Sequence, residues 1–307
     1  MTKHWAYILV LFLIALPGLT ADSYGQQLTS NLSDEQKTLL DEHVMGGLPG
    51  IGFTLIRQGY VASYDAERRV PTWVAYHVTP AYLDTPKRES RFSRFRTDPD
   101  LDNPVVRSDY THSGYARGHL APFAVMGGDR DADSLRADLD NDITDLDDEK
   151  TVFEANYMSN MTPQHQAAFN GAGGIWFKLE RWIQDTLVKE DSMDVWVFAG
   201  SIFGPGETEH IGPDSSIAVP PLFFKMVITK DEEDDPRVLA FLLPHHRVRH
   251  GDIEDYLVSV DIIEALTGLD FFNALADDQE TALERIDTFE TWETHFNPPS
   301  STAKAEN

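Results

Sequence analysis

Apolar and polar positions change their period several times along the chain. A short polar helix is expected around Ser33 to Glu42. From Gly52 the pattern turns to that of strands: "GFTLIRQGYVASYD", a turn at "AERRVP", then "TWVAYHVT", with alternation and aromatic content that favour a sheet. "DVWVFAGSIFG", "PPLFFKMVIT" and "VLAFLLP" read as further strands. In "GGIWFKLERWIQDTL" the residues Ile175, Trp176, Leu179, Trp182 and Ile183 fall at helical spacing, so one face of a helix packs inward. "SVDIIEALTGLDFFNAL" predicts a helix with Gly268 at its end. Strands and helices come in blocks without strict alternation and no internal repeat is visible. That order predicts an α+β fold with a central, mainly antiparallel sheet flanked by helices.

Length and composition narrow this picture. At 307 residues the chain can bury a large core. The start, "MTKHWAYILVLFLIALPGLTADSYG", has a basic residue, an apolar run from Trp5 to Leu16 and then small residues. This is the layout of a secretory signal, and the run is too short to span a bilayer. The expected organisation is a signal over residues 1–21, a linker and helix over 22–48, one domain over 49–290 and a polar tail over 291–307, with a secreted or periplasmic destination. There are no cysteines, so thiolate metal sites, iron–sulfur clusters and cysteine nucleophiles are excluded.

Charge is strongly acidic, 51 acids against 25 bases for a net −26, which by itself argues against a polyanionic partner. One segment runs the other way: "YLDTPKRESRFSRFRTDPDL" gathers Lys87, Arg88, Arg91, Arg94 and Arg96 in a loop. Between Asp129 and Lys150 lies an acidic insertion. There Asp138, Asp140, Asp142 and Glu149 have the spacing of a calcium loop, but Ile143 stands where such a loop needs Gly, so a solvated acidic face is expected.

The chemistry concentrates in two stretches. "SGYARGHLAP" places Arg117 and His119 two residues apart, and "NYMSNMTPQHQAAFN" supplies Asn156, Asn160, Gln164 and Asn170 ahead of Glu180. A base, a fixed cation and several oxygen donors can together serve a hard metal ion and a phosphate, as phosphodiester hydrolysis requires. Beyond that, "RGHLAP", "SNMTPQ", "FN", "IWFKLE", "WVAYHVT", "FRTDPDL", "VFAGSIFG", "VPPLFFKMVI" and "SVDIIEALTGLDFF" resemble, in order, the DNA/RNA non-specific endonuclease family over residues 50–275.

The resemblance implies a ββα-metal (His-Me finger) fold and magnesium-dependent cleavage of DNA and RNA to 5′-phosphate products, with manganese as an alternative ion. It implies His119 as general base, Asn170 as the one direct metal ligand and Glu180 orienting the metal's waters. Arg117 would hold the scissile phosphate, with Arg91 or Arg94 as a second cation, while Asn160 and Gln164 would support the loop. Asn170→Ala is expected to weaken metal dependence and activity, and Asn156→Ala to do neither. Two departures stand out: Ala116 occupies the position of the family's Asp, and family spacing reaches Phe169 from one side and Ala172 from the other, so the chain around Asn170 must bulge. A phosphodiesterase acting on small nucleotides, or an inactive relative serving as a binding module, are the alternative functions.

Overall fold

The structure is a computed structural model that describes residues 31–130, 134, 146–231, 233–248 and 251–286. The signal, the polar tail and the aspartates of the calcium-like spacing lie outside the described residues. Seven strands form one antiparallel sheet: β1 (Phe53–Ile56), β2 (Val61–Asp65), β3 (Val70–Val78), β6 (Val195–Ile202), β9 (Leu222–Lys230), β10 (Pro236–Pro244) and β11 (Leu257–Val258), in the spatial order β1-β2-β3-β6-β9-β10-β11. Two strands skipped by that order, β4 (Ala116–His119) and β5 (Met161–Gln164), pair as a separate antiparallel ribbon, and β7 (His210–Ile211) pairs with β8 (Ile217–Ala218) in another.

The central strands read as nearly continuous apolar runs because the sheet is covered on both faces. One face carries Val74, Tyr76, Val197, Phe223, Val227 and Phe241. Against it pack Trp176 and Leu179 of a helix over Ile175–Arg181 and, from a wider π-type turn over Trp182–Glu190 that continues it, Trp182 and Ile183. The opposite face carries Trp73, Ala75, Phe198, Phe224 and Met226, covered by three helices over Asp34–His43, Val260–Thr267 and Asp277–Glu284. In chain order the helices are α1 (Asp34–His43), α2 (Leu146–Ala155), α3 (Ile175–Arg181), α4 (Val260–Thr267) and α5 (Asp277–Glu284).

Local chemistry sets the ends of these elements. Ser33 caps α1 with a capping box to Gln36, and Gly268 closes α4 in the left-handed conformation. Leu40, Val44 and Leu48 are buried in the second core face, so the described part of the segment expected as a linker and helix, residues 31–48, is packed onto the sheet it precedes. Trp73, Trp176 and Trp182 are core residues. Among the described residues no helix is long and apolar enough to cross a membrane.

Candidate active site

The β4–β5 ribbon builds the centre of the site. Its register sets Ala116 opposite Gln164, Gly118 opposite Thr162 and His119 opposite Met161. Gly118 has a steric reason: a Cβ there would stand 2.0 Å from Gln164 Oε1, so any side chain between Arg117 and His119 would push the glutamine away. Asn160 then ties the chain beyond His119. Its Oδ1 accepts from the Ala121 amide at 2.9 Å, and its Nδ2 donates to the carbonyls of Ala121 and Ala155 at 2.8 and 2.9 Å. A buried amide that spends both donors and an acceptor this way fixes the loop that presents His119.

Around His119 the structure collects groups from three parts of the chain. Asn156 at the end of α2 is fully buried, and its Nδ2 donates to the Phe92 carbonyl at 2.9 Å, so its Oδ1 faces His119 Nε2 at 3.3 Å. An amide oxygen only accepts, so Nε2 carries the ring proton and Nδ1 keeps the lone pair. Asn156, expected from the sequence to be replaceable without loss, is in direct contact with His119. Burial first, and then the Arg88 guanidinium, push the His119 pKa down to about 3, with the Asn156 bond opposing them.

The second cation also comes from an unexpected position. Arg88 reaches Asn156 Oδ1 at 3.4 Å and lies 5.3 Å from the Phe95 ring, while Arg117 lies 4.6 Å from the same ring and the Phe95 and His119 rings are 5.8 Å apart. Neither Arg88 nor Arg117 has a carboxylate within ion-pair distance among the described residues, and Arg117 Nε is buried without a partner. Arg91, by contrast, is held by Glu149 at 2.8 Å, and Arg94 is exposed. The Arg-rich loop thus delivers Arg88 to the histidine and uses Arg91 to pin itself to α2.

Asn170 ends a single π turn over Gln166–Asn170, the wide form in which an extra residue is accommodated inside a helical segment. The extra length expected around Asn170 is absorbed there and in the Gly171–Gly174 connection to α3. Asn170 Nδ2 donates to Gln164 Oε1 at 2.5 Å, which leaves Asn170 Oδ1 without a hydrogen bond among the described residues. An oriented amide oxygen with a free lone pair suits a hard divalent cation, so the donor set fits the ion that the resemblance implies. Glu180, the penultimate residue of α3, is largely buried. Burial raises its pKa, opposed chiefly by Lys225, whose Nζ stands 3.5 Å from Glu180 Oε1. Lys225 is itself fully buried on β9 and was missed by sequence reasoning. Its signal was a lone charge in the middle of "LFFKMVI".

A two-stranded ribbon that presents a half-buried histidine, followed by a helical segment with an amide oxygen and a carboxylate, defines the ββα-metal class of nucleases. A likeness of fold agrees: a solved structure described as the EndoG/EndoGI complex superposes with a TM-score of 0.62 at 24% identity, covering 81% of this chain and 95% of that one. The family model for DNA/RNA non-specific endonucleases matches residues 44–278, and the chain belongs to that family. Among similar proteins are a mitochondrial nuclease EXOG of Danio rerio, 30% identical with 79% of this chain and 67% of that protein covered, and a nuclease of Serratia marcescens, 27% identical with 75% and 79% covered. The protein is accordingly a nuclease, a phosphodiester hydrolase of a metal-dependent family.

Proposed function

We propose that the chain is an exported, magnesium-dependent endonuclease that cuts DNA and RNA without regard to sugar, leaving 5′-phosphate and 3′-hydroxyl ends. The observation that carries this reading is the convergence of two guanidiniums, Arg88 and Arg117, that have no carboxylate partner among the described residues, on a neutral histidine in a chain of net charge −26. Unpaired cations in so acidic a protein call for an anion from outside, and their planar forks suit a phosphate. Contacts to the backbone phosphate explain tolerance of both sugars and of any base.

In this reading His119 Nδ1 takes the proton of the attacking water. A pKa near 3 makes the free imidazole a weak base. A phosphodiester docked on Arg88 cancels the repulsion that this cation exerts on the ring, and so raises the basicity of His119 when substrate is present. Asn170 Oδ1 would hold the magnesium ion directly and Glu180 would accept from its waters, with Asn160 and Gln164 keeping His119 and Asn170 in place. Bound there, the ion supplies Lewis-acid stabilisation of the phosphate and the leaving oxygen. Arg117 binds a non-bridging oxygen as negative charge develops on it.

Export rests on the N-terminal pattern. A single Lys3 and an unbroken apolar run fit a secretory signal better than the Arg-rich amphipathic presequence of a mitochondrial protein. The test of activity is nicking of a supercoiled plasmid and cleavage of a long RNA, with magnesium or with chelator, beside a small phosphodiester. Wild type should cut both polymers only with the metal and leave the small ester nearly untouched. His119→Ala should lose about 10²-fold or more with the fold kept. Preference for the small ester would overturn the reading, as would equal rates in chelator.

A further inference from the structure

Alternation along β9 sends Phe223, Lys225 and Val227 to one face of the sheet, the face covered by α3. Lys225 stands between Ala199 on β6 and Phe241 on β10, both core residues. Its side chain has no exposed surface, its Nζ lies 3.8 Å from the centroid of the Trp176 ring, and its ion-pair partner is Glu180 at 3.5 Å. Every neighbour of this position on the sheet face is apolar, and an ammonium is costly there unless something needs it. Glu180 retains 15% of its side-chain surface exposed, so the pair is lopsided, with the lysine end sealed in the core and the carboxylate end reaching solvent.

We propose that Lys225 is the positioning residue for Glu180: from inside the core its ammonium holds Oε1 and so fixes the direction in which the carboxylate is presented. The argument rests on the reading of Glu180 as the group that accepts from the metal's waters. Burial alone drives Glu180 toward the protonated form, and a protonated carboxyl is a poorer acceptor. Lys225 is the only cation that opposes this shift, both through charge and through a hydrogen bond. Trp176, one turn earlier on α3, gives the ammonium an aromatic face and limits where Nζ can move.

A double-mutant cycle on the full chain tests this, with kcat and KM for plasmid nicking and the Mn2+ dissociation constant of the metal-free protein as readouts. Lys225→Met should lower kcat and weaken Mn2+ binding by about 10- to 100-fold, with KM for DNA within about twofold, the size of effect of groups that orient metal ligands. The combined Glu180→Gln and Lys225→Met variant should match Glu180→Gln alone, because Lys225 then has nothing left to position. If the two losses multiply, Lys225 serves packing and the proposal fails. If Glu180→Gln alone keeps wild-type kcat and Mn2+ affinity, the reading of Glu180 fails first and the proposal with it. Should Lys225→Met alone not fold, the double variant, with both charges removed, still gives the comparison with Glu180→Gln.

Discussion

Asn156 fixes which nitrogen of His119 carries the ring proton, because its own amide group donates to the Phe92 carbonyl and turns its oxygen to the imidazole. In the proposed mechanism this selects the working nitrogen. Asn156→Ala should let the imidazole rotate and exchange tautomers, lowering kcat by about tenfold or more, while Asn156→Asp should raise the imidazole pKa and move the acidic limb of the kcat/KM profile to higher pH. A profile in which Asn156→Asp is superimposable on wild type would remove Asn156 from the mechanism. Other residues of the site were legible to different degrees. Arg117, His119, Asn160 and Gln164 sit in two short contiguous motifs, so their identities were legible even though the pairing that joins the motifs was not. Arg88 was hidden among five cations of one loop, and only the folded chain shows that Glu149 occupies Arg91 while Phe95 and Asn156 receive Arg88. Lys225 and Glu180 are 45 positions apart, and no local pattern joins them.

Elements with a long apolar signal were read well, as β3, β6, β9, β10, α3 and α4 show by ending within a few residues of the expected bounds. The β4–β5 ribbon was missed because four-residue strands with Arg, Gly, His, Thr and Gln carry no alternation, and their stability comes from pairing across 41 residues of intervening chain. Helix α2 was missed because its first turns are acidic and were read with the solvated insertion. The packing of α4 on α5 holds a cost that the sequence also concealed: Asp261, Glu264 and Glu284 bring carboxylate oxygens within 4.8 Å of one another. Burial first, and then Asp270, Asp261 and Glu280, push Glu264 up to about 7, while burial, Glu264, Glu280, Asp261 and Asp270 push Glu284 up to about 8. A raised carboxyl pKa means that the folded state holds protons the unfolded chain releases, so stability is fullest below the ordinary Glu value near 4.3 and is lost as pH climbs through 7 and 8. Glu284→Gln removes one of these charges and should raise Tm at pH 8.5 while changing it little at pH 5. Equal Tm changes at the two values would show that the effect is packing and not charge.

At the scale of the whole molecule the conflict is between a net charge of −26 and a polyanionic substrate. Acidic surface far from the site repels an approaching nucleic acid, and the reach of that repulsion is set by salt: the Debye length is roughly 30 Å at about 0.01 M and roughly 8 Å at about 0.15 M. Arg88 and Arg117, whose guanidiniums lie 5.3 and 4.6 Å from the centroid of the Phe95 ring, would act on the phosphate at close range and be screened last. Their hold still weakens with salt, because counterions compete for each phosphate they neutralise. With so few phosphate contacts this second slope is shallow, and removal of the long-range repulsion should dominate at the low end. Cleavage of a long duplex at fixed magnesium is therefore expected to rise with sodium chloride, pass an optimum at or above physiological strength and then fall, with the rise in the encounter-limited kcat/KM and not in kcat. A short oligonucleotide, which presents less charge to the distant acidic surface, should show a smaller rise or none. Initial rates across a salt series for both substrates decide the matter: a steady decline from the lowest salt onward for the long duplex would mean that the acidity of the molecule does not reach the approach path, and that the guanidiniums alone govern encounter.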